Sequence, residues 1–242
     1  MQLFIAKNKN FGDKIAFEVI KKQITAKPDS LIGFAVGKTT NKLHRLISKD
    51  VLNHKKQWEK IKVFQIDENL GVSPKSPLSF NNEIERELKN LLKAANPKNI
   101  FLMDGTKNPK TTIKKANDFI KKNKGIDLII LGLGPEYDPH IAYNTSGKSG
   151  LNSRLRVVAL HKKTIEELSK GSINQTPTKG ITVGIKDILD VKKVLLIAYG
   201  KDKAKSLKLA LKKVNMKKAS ASALLLHNDL TVVIDNEAAM LM

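Results

Sequence analysis

Cysteine is absent from this 242-residue chain, and its absence excludes several kinds of chemistry. Without cysteine there is no disulfide framework, no thiolate nucleophile and no zinc–thiolate site. No apolar run approaches the ~20 residues that span a bilayer. The start, MQLFIAKNKN, places its apolar stretch before its lysines, which is the reverse of a signal peptide. The sequence therefore predicts a soluble protein of the cytoplasm with no membrane segment.

Arginine and aromatic residues are also scarce, although the formal net charge is +21. Aromatic residues make up 5% of the chain, and nearly all of the positive charge is lysine, distributed along the whole length. Base-edge recognition favours bidentate arginine, and single-strand binding favours exposed aromatic rings. The composition therefore argues against nucleic acid as a partner. It favours solvated lysine faces, with a weak bias toward anionic ligands as the alternative.

Apolar runs typical of strands alternate with amphipathic helical stretches from end to end, without an internal repeat. The predicted strands cover residues 3–6, 31–35, 62–66, 100–103, 128–133, 156–160, 194–198 and 231–234. The predicted helices cover residues 14–22, 41–52, 81–94, 111–122, 202–213 and 236–241. This alternation predicts one α/β domain over residues 1–242: a doubly wound, mainly parallel open sheet with helices on both faces, Rossmann-like. Ligands of such sheets bind beyond the carboxyl ends of the strands.

The first loop of that kind carries Gly37, Lys38 and Thr39 between the strand at 31–35 and the helix at 41–52. Unpaired backbone N–H groups and the helix dipole converge at such a helix start, which makes it an anion site. The segment resembles a P-loop that is one residue short between its glycines. It therefore favours a sugar phosphate over a nucleotide, and the alternative is a lysine in an ordinary capping turn.

Two further loops carry groups suited to acid–base chemistry. Asp67 and Glu68 follow the strand at 62–66 directly, where an acid serves either as a positioned proton acceptor or as a helix cap. A Gly-x-Gly exit at 132–134 is followed by Asp138 and His140. At that spacing an acid can orient an imidazole and stabilise its charged form, although a single loop histidine is often structural.

The remaining histidines lack such a context. Those at positions 44, 54 and 161 are predicted at the surface, whereas His227 follows an apolar run and is predicted to be buried and hydrogen-bonded.

Together these loops resemble the glucosamine-6-phosphate deaminase/isomerase family, which is related in fold to the 6-phosphogluconolactonases. The resemblance runs nearly end to end, and its strongest match is Gly-x-Gly followed by Asp-x-His-Ile-Ala-x-Asn. The matching segments are 35–39, 67–69, 79–80, 132–144, 153–156, 180–184, 200–204 and 222–235. The family reaction opens the ring of glucosamine 6-phosphate, moves a proton between C2 and C1, and releases ammonia to give fructose 6-phosphate.

The resemblance implies a role for each candidate residue. Asp67 is the base that shuttles the proton, and His140, oriented by Asp138, opens the ring. Lys203 and the amides of residues 37–39 hold the phosphate, with Lys170 as a helper where the family has arginine. The resemblance implies a small-molecule sugar phosphate as partner, no metal or organic cofactor, and a homo-oligomer, because the family is often oligomeric.

The chain departs from the family in the loop around His140. The family has Glu-Pro after its asparagine, and its glutamate assists the histidine, whereas Thr145 and a serine stand here. Two extra residues precede Asp138, and Pro139 replaces a glycine. Glu136, inside the insertion, is a candidate replacement for the missing acid. Two alternatives follow: a 6-phosphogluconolactonase-like hydrolase, or a catalytically degenerate sensor that binds a sugar phosphate.

Overall fold

A computed structural model describes residues 1–170 and 176–242 of the chain. The strands are β1 (Gln2–Ala6), β2 (Leu31–Phe34), β3 (Lys62–Gln65), β4 (Asp67–Asn69), β5 (Ile100–Phe101), β6 (Leu128–Gly132), β7 (Arg156–Ala159), β8 (Lys179–Thr182), β9 (Lys193–Ala198) and β10 (Leu230–Asp235). The helices are α1 (Lys9–Ala26), α2 (Asn41–Asn53), α3 (Lys55–Trp58), α4 (Phe80–Glu87), α5 (Lys89–Ala94), α6 (Pro109–Lys122), α7 (Lys162–Ser169), α8 (Ile185–Leu189), α9 (Ala204–Lys212) and α10 (Asn236–Ala239).

Seven strands form a parallel sheet in the order β1-β10-β9-β6-β2-β3-β5. The central strands are buried on both faces, as expected when helices cover both sides. One apolar cluster packs α1, α2, α4 and α5 against one face of the sheet. A second cluster packs α6, α8 and α9 against the other face. The doubly wound, Rossmann-like α/β architecture predicted from the sequence is therefore confirmed.

The order of the strands reverses between β2 and β6. The chain leaves β2 toward β3 and β5, whereas it leaves β6 toward β9 and β10. Such a reversal opens a crevice at the carboxyl ends of the two strands, because their following segments diverge to opposite sides. Two of the loops singled out in the sequence, after 31–35 and after 128–133, therefore meet at this crevice.

A second, three-stranded antiparallel sheet in the order β4-β8-β7 was not predicted. It takes up the segment predicted as a parallel strand at 156–160, and its side chains alternate between partly buried and exposed. The helix predicted over 81–94 is interrupted at Leu88, whose φ of −104° and ψ of 20° leave the helical region. Neither feature has a signal in the periodicity, because short strands and single-residue breaks are decided by tertiary packing.

The prediction for one histidine is wrong. His44 is fully buried on α2, where residues 44, 47, 48 and 51 form an inward face at helical spacing. His54 is half exposed, as predicted. His227 is buried, and its Nε2 lies 2.8 Å from the Val191 carbonyl oxygen, which confirms that prediction. In the part of the chain that the structure describes, no helix is long and apolar enough to cross a membrane.

Candidate active site

A cavity of about 220 Å³ lies at the reversal point of the large sheet. The loop after β2 forms one wall, the loop after β6 forms another, and Asp67, the first residue of β4, lines the cavity just beyond the end of β3. The two loops approach closely, since a Cβ built on Gly132 would lie 3.9 Å from Cβ of Thr39. The topology therefore brings together segments that are about 100 residues apart in the chain.

The loop after β2 presents backbone amides at the start of α2. Gly37 has a φ of 132°, a conformation that side-chain-bearing residues rarely adopt. Its carbonyl oxygen accepts from the amides of Thr40 and Asn41 and so closes the turn. The amides of Lys38 and Thr39 have no described hydrogen-bond partner and lie in the cavity wall. This arrangement suits an anion, because unpaired N–H groups and the helix dipole coincide.

One amide of this loop is already occupied. The backbone N–H of Gly37 donates to Oε1 of Glu83 at 3.2 Å. Glu83 lies on α4, one turn after Phe80, and burial raises the pKa of its carboxyl group. The sequence reasoning missed this residue, although its spacing from Phe80 places both on one face of the helix.

The two acids after β3 have different environments. Glu68 accepts hydrogen bonds from the side chains of Gln65 and Ser79 and from the backbone amides of residues 69, 80 and 81. It therefore fixes the start of α4, as the capping alternative proposed. Asp67 as a residue is 6% exposed and lines the cavity, and its carboxyl group receives no hydrogen bond from a described residue. Burial, together with the charges of Glu68 and Glu83, raises its pKa to about 8.

His140 reaches the cavity from the loop after β6. Its Nδ1 lies 3.0 Å from Oδ2 of Asp138, and the other oxygen of that carboxylate accepts from the amide of Ser146 at 2.8 Å. Burial opposes the charge on Asp138, but the contacts with His140 and Ser146 outweigh it and lower the pKa of the carboxyl group. Because Nδ1 is engaged, Nε2 is the ring nitrogen that remains for a ligand.

Gly134 makes the close packing of this loop feasible. Its N–H donates to the carbonyl oxygen of His140 at 2.8 Å. A Cβ at this position would lie 2.5 Å from the Asp138 carbonyl oxygen and 2.8 Å from Cγ of His140. Glycine is therefore required by space at position 134, which is the physical reason for the second glycine of the Gly-x-Gly exit.

Two aromatic residues complete the wall. The rings of Phe80 and Tyr143 stack at 5.6 Å between centroids, and both line the cavity. The Tyr143 hydroxyl donates to Oδ1 of Asn69 at 2.8 Å, which ties the wall to β4. Both residues belong to the motifs noted in the sequence, but their contact was not predicted.

The structure places the remaining predicted residues outside the cavity lining. Lys203 lies at the start of α9, and burial lowers its pKa. Lys170 is exposed at the end of α7, and Glu136 is exposed with its carboxylate 2.9 Å from Nζ of Lys205. The backbone of Thr145 takes part in the turns of its own loop. Asp138 stands behind His140, so the cavity joins Asp67 and His140 to residues 37–39.

No group of three or more His, Cys, Asp or Glu side chains suited to a metal occurs within residues 1–170 and 176–242. The chemistry that the cavity offers is that of a carboxyl group, an imidazole and an anion-binding turn.

Comparison with known proteins agrees with this geometry. Residues 10–233 match the family described as glucosamine-6-phosphate isomerases/6-phosphogluconolactonase. The glucosamine-6-phosphate deaminase of Thermoanaerobacter sp. (strain X514) is 32% identical over 100% of this chain and 95% of its own length. That of Mycoplasmopsis pulmonis (strain UAB CTIP) is 33% identical over the same shares, and that of Clostridium novyi (strain NT) is 34% identical over 99% of each.

Solved structures extend the comparison to the fold. A monomeric glucosamine-6-phosphate deaminase superposes with a TM-score of 0.91 and 27% identity over 100% of both chains. The 6-phosphogluconolactonase of Trypanosoma cruzi superposes with a TM-score of 0.78 and 18% identity, over 99% of this chain and 96% of its own, and shares the fold. With the family matched over residues 10–233 and relatives above 30% identity along the whole chain, this protein belongs to the glucosamine-6-phosphate isomerase/6-phosphogluconolactonase family.

Proposed function

We propose that this protein is a glucosamine-6-phosphate deaminase, which converts glucosamine 6-phosphate and water to fructose 6-phosphate and ammonia. The observation that carries the proposal is one cavity with a carboxyl group on one wall that receives no hydrogen bond from a described residue, and an oriented imidazole on another wall. The anion-binding turn at residues 37–39 adjoins both. The curated relatives at 32–34% identity, which bear the name of this enzyme, support the same conclusion.

The phosphate is the anchor in this proposal. The amides of Lys38 and Thr39 and the Thr39 hydroxyl receive it at the start of α2. Lys203, at the end of the loop after β9, adds a charge, and Lys170 contributes from the end of α7. Anchoring the non-reacting end of the sugar fixes C1 and C2 relative to the acid–base groups, which lowers the entropy cost of reaction.

His140 and Asp67 each carry out a different proton transfer in this proposal. Nε2 of His140 accepts the proton of the C1 hydroxyl and returns one to the ring oxygen, so the C1–O5 bond breaks and an aldehyde forms. The Asp67 carboxylate removes the proton from C2, and the substrate ammonium group gives up a proton to the aldehyde oxygen at C1, so an enolamine with a C1–C2 double bond forms. Asp67 then delivers its proton to C1, which leaves a C1 hydroxymethyl group and a C2=N iminium group. Water then adds at C2 and ammonia leaves, so the oxygen of water becomes the ketone oxygen. The Asp138 carboxylate stabilises the imidazolium form of His140 throughout.

Turnover of glucosamine 6-phosphate is the test of this proposal, with ammonia and fructose 6-phosphate measured separately. We expect the parent protein to form both in equal amounts. Asp67→Asn should lower kcat by ~10²–10⁴-fold, the usual contribution of a positioned base. His140→Asn should lower the rate on the closed-ring sugar by a comparable factor.

Glu136→Gln is the matched control, because its carboxylate is exposed and paired with Lys205 outside the cavity. The proposal assigns Glu136 and Thr145 no part in proton transfer. The kcat of Glu136→Gln should therefore stay within about threefold of the parent value, an effect well under 1.4 kcal/mol. Unchanged turnover in Asp67→Asn would contradict the proposal. Opening of 6-phosphogluconolactone without deamination would instead identify a hydrolase, and binding of the sugar phosphate without turnover would identify a sensor.

We further propose that residues 1–242 act as a single domain in the cytoplasm. The family resemblance suggests a homo-oligomer, whereas the solved deaminase with the similar structure is monomeric. Light scattering on the purified chain distinguishes the two states.

A further inference from the structure

Glu83 lies beside the active-site cavity: it contacts the anion-binding turn, although it is not among the residues that line the cavity. Its Oε1 accepts from the backbone N–H of Gly37 at 3.2 Å. On the other side, burial raises the pKa of Asp67, and the charges of Glu68 and Glu83 add to that effect. One carboxyl group thus contacts the anion-binding turn and acts on the group proposed as the base.

Hydrogen bonds at the start of α4 fix the position of Glu83. α4 starts at Ser79, whose side chain caps the helix, and the carboxylate of Glu68 accepts from the amides of residues 80 and 81. Because Glu68 is the chain neighbour of Asp67, a shift of α4 would move Glu83 and the segment that carries Asp67 together. These hydrogen bonds link α4, which carries Glu83, to the segment that carries Asp67.

The charges around Asp67 and Glu83 are few. Arg86 and Glu87 lie near Glu83 on its own helix, and Glu68 lies beside Asp67 on β4. From α2, Arg45 is already engaged, since its Nε lies 2.6 Å from Oε2 of Glu87. Tyr143 and His140 also line the cavity. The pKa of the Tyr143 hydroxyl is raised well above its ordinary value by burial and by the two acids of β4. The charge of Arg86 lowers the pKa of Glu83, and Nε of Arg86 also lies 3.1 Å from Oε1 of Glu87. Lys38 lines the cavity from the loop after β2.

We infer that Glu83 is a positioning residue of the proposed deaminase: it holds the anion-binding turn through Gly37 and tunes the proton affinity of Asp67. The inference rests on the proposed function for its catalytic part. Burial is the main cause of the raised pKa of Asp67, and the charges of Glu68 and Glu83 add to it. Carboxyl groups that interact in this way titrate as a coupled set, so removing the charge of Glu83 changes the titration of Asp67. Glu83 therefore acts both on the anion-binding turn and on the proton affinity of the proposed base. A group that only accepted a hydrogen bond from Gly37 would act on the turn alone.

The pH dependence of kcat/KM for glucosamine 6-phosphate in Glu83→Gln and Glu83→Ala tests the inference. Gln keeps an oxygen that can accept from Gly37 but removes the charge. We expect the rise of kcat/KM with pH to shift at least half a pH unit lower and to become a single step, with KM within about threefold of the parent. Ala removes both features, so we expect the same shift and a KM raised roughly fivefold relative to Gln, the effect of one hydrogen bond.

Glu85→Gln is the matched control, because Glu85 is exposed on the same helix; it should follow the parent profile. The dissociation constant of fructose 6-phosphate, measured by calorimetry, gives a readout that needs no turnover. Weaker binding in Glu83→Ala than in Glu83→Gln supports the inference, and equal binding overturns it. A Glu83→Gln profile that coincides with the parent also overturns it. Absence of parent turnover refutes the proposed function alone, since the binding comparison still judges Glu83.

Discussion

Burial of the Asp67 carboxyl group should make the folded protein less stable as pH rises, and replacing it with asparagine should remove that dependence. The pKa of Asp67 is raised from 3.8 to about 8 by burial and by Glu68 and Glu83. The folded state therefore binds one more proton than the unfolded chain between about pH 4 and pH 8. Under these conditions the free energy of unfolding falls with increasing pH.

The magnitude follows from the width of that interval. Each pH unit within it lowers the free energy of unfolding of the parent by about 1.4 kcal/mol relative to a variant without the group. Between pH 5 and pH 7.5 the difference amounts to about 3 kcal/mol. For a chain of this length that corresponds to roughly 6–12 °C in Tm.

Urea denaturation of the parent and of Asp67→Asn at several pH values between 5 and 8.5 measures this difference directly. We expect the variant to gain stability over the parent as pH increases, while its proposed catalytic function is lost. Asp118→Asn serves as the control, because the Asp118 side chain is 62% exposed and pairs with Lys114 one turn away. Parallel stability curves for parent and Asp67→Asn would refute the reasoning, since they would show that the group titrates alike in both states.

Two further predictions concern packing. Neither nitrogen of the buried His44 ring is hydrogen-bonded to a described residue, and burial lowers the pKa of the ring to about 4. Because leucine has no polar atoms to leave unsatisfied, His44→Leu should raise the free energy of unfolding by ~1 kcal/mol. A loss of stability in urea denaturation would show that the ring is needed. Gly134→Ala should lower kcat by about 10²-fold through displacement of His140. Gly150→Ala, which meets no atom within 4 Å, should leave kcat unchanged; equal rates in the two variants would contradict the packing argument.

The sequence determined the architecture because the doubly wound sheet depends on local patterns. Apolar runs bounded by amphipathic helices predict parallel strands and crossovers without knowledge of the strand order. The carboxyl-end rule then selected the loops at residues 37–39, Asp67 and His140. All of them line one cavity, although they are spread over more than a hundred residues.

The tertiary structure decided which acid plays which part. Asp67 and Glu68 are neighbours of the same chemical type, and no local pattern distinguishes them. The packing of α4 against β4 places hydrogen-bond donors against the carboxylate of Glu68. It leaves the carboxyl group of Asp67 in the cavity without a hydrogen bond from a described residue. Glu83 acquires its contact with Gly37 across 46 residues of chain in the same way. Hydrogen-bond satisfaction and desolvation depend on what surrounds a group in space, so the proton affinities of this site are properties of the folded chain.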